Sequence, residues 1–87
     1  VDIDESKGHL GGAKEKWPQA KTFFDYRKLF DDAVFKDVDA VTISTPDHHH
    51  ALVAANCIRA KKHVYVQKPL TRTVFEAQLL KKLANEY

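Results

Sequence analysis

The sequence predicts an α/β chain built as a doubly wound parallel sheet, and three observations carry that expectation. Strand-like and helix-like segments alternate along all 87 residues. Two runs, "DAVTIST" at 39–45 and "HVYV" at 63–66, are apolar or β-branched without alternation, as expected of strands covered on both faces. The connections are short, and the stretch between those two runs is long enough for the helical crossover that parallel strands need.

The elements follow in order. "VDI" reads as a strand end, and "DESKGHLGGAKEKW" as a polar helix weakened by its three glycines, each worth ~1 kcal/mol relative to Ala. "KTFF" reads as a short strand. "DYRKLFDDAVF" reads as a helix capped by Asp25, with Tyr26, Leu29, Phe30, Ala33 and Val34 on one face. After the 39–45 strand, Pro46 stops the ladder. Asp47 is then expected to cap a helix with Ala51, Leu52, Ala54, Ala55 and Ile58 as its apolar face. Following "HVYV", Thr73 with Glu76 forms a capping box, and Val74, Ala77, Leu80, Leu83 and Ala84 make the last helical stripe.

Composition narrows the function classes. Apolar content of 44% and charged content of 30% are those of an ordinary globular chain. A net charge of +2, with cations and carboxylates interleaved, gives no footprint for nucleic acid. No apolar run approaches the ~20 residues of a membrane span. The single Cys57 excludes an internal disulfide and a multi-cysteine zinc site. Cys57 and Trp17 are both expected to serve packing alone. The opening "VDID", without an initiator Met, suggests entry in mid-strand and hence a piece of a longer protein.

In doubly wound sheets ligands bind outside the carboxyl ends of the strands. That rule selects Asp2–Asp4, "STPDHHH" at 44–50 and "QKP" at 67–69, three segments that one sheet edge would gather. The triple histidine is not expected to hold a metal. Consecutive residues at a helix start point about 100° apart, whereas helical zinc ligands are spaced i, i+4 with a companion ligand nearby.

The stretch "VDAVTISTPDHHHALVAANCIRAKKHVYVQKPLTRTVFEAQLLKKLA" resembles the glucose–fructose oxidoreductase, inositol dehydrogenase and rhizopine-catabolism (Gfo/Idh/MocA) family of NAD(P)-dependent oxidoreductases. "TPDHHH" matches a T-P-x-x-x-H element after the fourth Rossmann strand. "KKHVYVQKPL" matches a G-K-H-V-x-x-E-K-P block, and "VDID" resembles the end of the second strand. Gln67 stands where the family usually carries Glu. "GHLGG" follows the wrong strand and has the wrong spacing for the glycine-rich turn.

The resemblance implies a partial Rossmann-like sheet lacking its first strand and glycine-rich loop, with residues 1–87 the C-terminal portion of a dinucleotide-binding domain and the substrate domain absent. It implies a hydride transfer between nicotinamide and a secondary alcohol of a sugar, polyol or related ring. Lys68 would lie by the nicotinamide ribose and the substrate hydroxyl as the catalytic group, its pKa lowered in a partly desolvated cleft. Gln67 would meet a ribose hydroxyl. Thr45 and Pro46 would line the cleft, and His50 would face its nicotinamide half, with His48 and His49 solvated and His63 structural. Pro69, in a cis bond to Lys68, would aim the ammonium. Asp2, preferred to the competing Asp4, would hold the adenosine ribose, which favours NAD with NADP as the alternative.

The 87-residue piece is expected to be inactive by itself. It is also expected either to self-associate through the unpaired edge of the 39–45 strand or to part into loosely joined halves. The intact protein is expected to be a homo-oligomer, cytoplasmic unless exported, with no nucleic-acid or membrane partner. A cofactor-binding regulator of the same fold and an NAD-dependent glycoside hydrolase are the rival readings.

Overall fold

Two strands and the helix between them organise residues 38–87 of the structure, a computed structural model that describes every residue from Val1 to Tyr87. Strand β1 (Ala40–Ile43) and strand β2 (His63–Val66) pair in parallel, Ala40 opposite His63 and Ile43 opposite Val66. Helix α3 (His50–Arg59) is the crossover between them and packs on both strands. Helix α4 (Val74–Glu86) packs in turn on α3. The chain divides into two units, Val1–Asp37 and Val38–Tyr87. All of the sheet lies in the second.

In the second unit the alternation of side chains decides the core. Ile43 is buried, and Val41, Val64 and Val66 are half-buried on the side that α3 covers. Ala40, Thr42, His63 and Tyr65 fall on the other side and are exposed, Tyr65 by 77%. The expectation of strands covered on both faces is therefore met on one face only. Each strand also pairs only with the other, so the outer edge of each has no neighbour.

Helix α3 does not begin at a capping Asp47. A 3₁₀ turn, Asp47–His49, intervenes, and neither it nor α3 receives a side-chain cap bond. Because a 3₁₀ turn advances each residue farther around the axis than an α-turn, the buried face is shifted from the expected one. It comprises His50, Ala51, Val53, Ala54, Ala55 and Cys57, while Leu52 is 51% exposed. Three alanines on this face let the helix lie close to the strands and to α4. The helix ends with Lys61 at φ 59°, in the left-handed region, where Lys61 N–H donates to Ile58 and Lys62 N–H to Cys57. Burial pushes the Cys57 thiol up to about 11.

Helix α4 starts with the expected box. Glu76 N–H donates to Thr73 Oγ1 at 3.2 Å, and Thr73 N–H donates back to Glu76 Oε2 at 3.0 Å. Only Leu80 and Leu83 of its stripe are buried; Val74 and Ala84 are exposed.

The first unit is held differently. No strand forms at "VDI" or "KTFF"; a single backbone bond, Asp2 N–H to the Phe23 carbonyl at 3.2 Å, links the two segments. One bond without further strand neighbours is too little for a ladder. The expected long polar helix shrinks to α1 (Leu10–Lys16), preceded by turns in which Asp2 and Asp4 accept from the N–H of Asp4 and Ser6. Gly11 and Gly12 permit this loop to lie against α1. An added Cβ at Gly11 would stand 2.5 Å from the Glu5 carbonyl oxygen, and one at Gly12 would run into that of Lys7.

Helix α2 (Tyr26–Asp31) has the expected Asp25 cap, which accepts from Arg27 N–H at 2.9 Å and also pairs with the Arg27 guanidinium at 2.7 Å. A second turn, Ala33–Asp37, breaks the expected continuation of this helix. Ala33 and Val34 stay exposed, and Phe35 becomes the one buried side chain of the unit. Phe35 meets Phe30 edge-on at 4.8 Å, and Phe30 meets Tyr26 at 5.7 Å. Trp17 is not packed away as expected; it is mostly exposed, with Lys16 Nζ 4.7 Å from its ring.

Candidate functional site

The candidate site is built where β1 and β2 end side by side. Gln67 N–H donates to the Ile43 carbonyl at 2.9 Å, extending the ladder one residue past β2. The parallel register therefore brings Ser44–Pro46 and Gln67–Pro69 to one edge of the sheet. Lys68 N–H is bound by the Gln67 side-chain oxygen at 2.8 Å, which folds that amide back on its own loop. The Lys68–Pro69 peptide is cis, as the sequence motif implies.

Lys68 itself is exposed, and its ammonium enters no ion pair. The partly desolvated cleft expected around it is not formed by Val38–Tyr87 alone. Gln67, Pro46 and Pro69 are likewise exposed, whereas Thr45 is half-buried. Thr45 Oγ1 lies out of solvent with no hydrogen-bond partner. Orphaned buried hydroxyls are uncommon in folded proteins and ask for an explanation.

His50 is placed otherwise than expected. Its ring is 0% exposed, the one buried polar side chain of the chain. Nδ1 lies 2.6 Å from the Pro69 carbonyl oxygen and Nε2 lies 2.8 Å from that of Thr45. Both nitrogens are thus engaged within the protein, and the ring ties the start of α3 to both strand ends. Its neighbours His48 and His49 are exposed, with ring centroids 4.2 Å apart.

Asp2, the remaining expected contact, belongs to the first unit. Its carboxylate accepts from Asp4 N–H at 2.9 Å and stands 3.4 Å from His9 Nδ1. The rival Asp4 accepts from Ser6 N–H, and those hydrogen bonds hold its carboxyl below the ordinary value. His9 Nε2 is 3.5 Å from Asp4, so this imidazole sits between the two carboxylates. His9 carries no signal in the sequence, because it falls inside a polar stretch with no motif around it.

The family model described as an oxidoreductase family with an NAD-binding Rossmann fold matches residues 3–87. The chain belongs to that family, Gfo/Idh/MocA. Among its relatives, an uncharacterized oxidoreductase, YdgJ, of Escherichia coli is 35% identical over 93% of this chain and 21% of its own length. The scyllo-inositol 2-dehydrogenase (NADP(+)) IolW of Bacillus subtilis is 32% identical over 84% of this chain and 20% of its own. A levoglucosan dehydrogenase of Pseudarthrobacter phenanthrenivorans is 39% identical over 64% of this chain and 14% of its own. The chain therefore spans about a fifth or less of the curated relatives it matches.

Membership makes the pair of strands a portion of a Rossmann-like α/β sheet and implies a dinucleotide. The strand ends fit such a group: an orphaned Thr45 hydroxyl, an exposed amide and an unpaired ammonium lie at the carboxyl edge. The paired glycines do not fit its pyrophosphate. Gly11 and Gly12 face carbonyl oxygens of residues 5–7, where a phosphate cradle needs N–H groups. No helix is long and apolar enough to cross a membrane.

Proposed function

We propose that the protein carrying this chain transfers a hydride between a nicotinamide cofactor and a secondary alcohol of a sugar, polyol or related ring. Nicotinamide, when bound, supplies the hydride chemistry. The chain's residues bind and orient. Lys68, a compact charge with three donors, donates to the reacting oxygen and the adjoining ribose and, in the reducing direction, can give that oxygen its proton. Gln67 gives its amide to a ribose hydroxyl, and Thr45, Pro46 and Pro69 line the same edge. Asp2 accepts from the adenosine ribose, which favours NAD over a 2′-phosphorylated cofactor.

The observation that carries this reading is the exposed, unpaired Lys68 just past the carboxyl end of β2, beside Gln67 and on the same sheet edge as the end of β1. The relatives named as dehydrogenases of inositol and levoglucosan support the substrate class. Residues 1–87 would then form the C-terminal portion of a dinucleotide-binding domain, with the pyrophosphate loop and substrate pocket supplied by further chain. A homo-oligomer in the cytoplasm completes the proposal, the free outer edges of β1 and β2 being consistent with further pairing.

The test is nicotinamide reduction by the full-length protein with a panel of polyols and sugars, followed by Lys68→Ala. Turnover should fall by about a hundredfold or more, the usual range for a positioned acid–base group, while calorimetry shows NAD still bound. Unchanged turnover in Lys68→Ala would remove Lys68 from the chemistry.

A further inference from the structure

We propose that His50 is a positioning residue that acts as a doubly protonated imidazolium, clamping the ends of β1 and β2 together and so fixing the loop that presents Gln67 and Lys68. Its consequence for turnover rests on the hydride-transfer reading above; the clamp itself rests on geometry.

The argument begins with donors and acceptors. The groups facing the two ring nitrogens are backbone carbonyl oxygens, of Pro69 at 2.6 Å and Thr45 at 2.8 Å. A carbonyl only accepts. Neutral imidazole has one N–H and one lone pair, so either neutral tautomer satisfies one carbonyl and turns its lone pair on the other. Only the imidazolium donates to both. Both distances also fall at the short end for N–H···O contacts, where charge-assisted bonds lie.

No carboxylate shares the site. Helix α3 packs on the Asp47–His49 turn, β1, β2 and α4. The titratable groups on these elements are Asp47, His48 and His49, then His63 and Tyr65, then Glu76, Lys81, Lys82 and Glu86; β1 carries none, and α3 itself adds Cys57 and Arg59. None pairs with the ring, and Glu76 is taken up by the N–H groups of Arg72 and Thr73. Burial without a counterion and the dipole at the start of α3 both oppose a positive charge; the two carbonyls, each with its negative end on a ring nitrogen, act against them.

The clamp spans the site's working parts. One arm holds the carbonyl one residue past Lys68; the other holds Thr45, whose hydroxyl is the orphan.

Nitrogen-15 spectra of the histidine-labelled full-length protein read the ring directly. Both His50 nitrogens should carry protons in the folded protein. A single lone-pair nitrogen at neutral pH would overturn the proposal. In His50→Gln, whose donors sit on a single nitrogen and whose oxygen can only accept, kcat should fall about tenfold, near the value of one hydrogen bond, with KM for cofactor changed far less. A soluble His50→Gln with both constants unchanged would also overturn it. Protonated nitrogens without hydride transfer to any polyol would leave the clamp standing and sink the functional reading alone.

Discussion

The two units of this chain use opposite means to hold themselves together. In Val38–Tyr87 a face of Ile43, Ala51, Val53, Ala54, Ala55, Cys57, Leu80 and Leu83 is buried, and two parallel strands and two helices follow from it. In Val1–Asp37 only Phe35 is buried, and order comes from carboxylates folded onto nearby N–H groups at Asp2, Asp4, Asp25 and Asp32. Such bonds span two residues each. They shape turns, yet bring little apolar surface out of water, and apolar burial is what offsets chain entropy. The unit rich in polar contacts should therefore be the weaker one.

The largest effect should come from the second unit's core. Ile43→Ala should cost about 3 kcal/mol and reduce hydrogen-exchange protection throughout α3 and α4. Phe35→Ala should lower protection in Val1–Asp37 and leave α3 unchanged; equal losses in both units would erase the contrast. A smaller gain should follow Lys61→Gly. Lys61 holds φ 59°, a conformation that costs a side-chain-bearing residue about 1 kcal/mol and glycine almost nothing. The denaturation midpoint should rise.

The smallest effect concerns acid. The Arg27 hydrogen bond lowers Asp25 from an ordinary 3.8 to about 2. The unfolded carboxyl thus takes up its proton first as pH falls. The cap's contribution is complete above about 3.8 and is lost as pH drops toward 2. Exposure and salt keep it slight. An NMR titration checks it, and Arg27→Ala should return Asp25 toward its ordinary value.

Sequence patterns revealed the second unit well and the first poorly, for the same physical reason. β1, β2, α3 and α4 are specified by apolar periodicity plus the Thr73–Glu76 box, and these signals coincide with the forces that form them. "VDI" and "KTFF" have strand composition, but a strand exists only through its neighbours, and one bond between Asp2 and Phe23 is all they have. The apolar pattern places Leu52 on the inner face of α3, whereas it lies outside, because nothing in "PDHHH" distinguishes an α start from a 3₁₀ turn. The cis bond and the strand-end location of Lys68 were legible through the motif. The enclosure of His50 was not, since three adjacent histidines look alike until the register of two strands selects one. Lys61 hid its left-handed backbone behind a residue type that seldom adopts it.

Cys57 offers a last consequence. Its thiol sits 1% exposed on the inner face of α3 and is pushed up to about 11. An alkylating reagent needs the thiolate and a path to it. In the closed unit it has neither, so modification must wait until α3 swings away from its neighbours. The single cysteine is thus a built-in clock: the rate at which it is labelled counts how often the second unit opens.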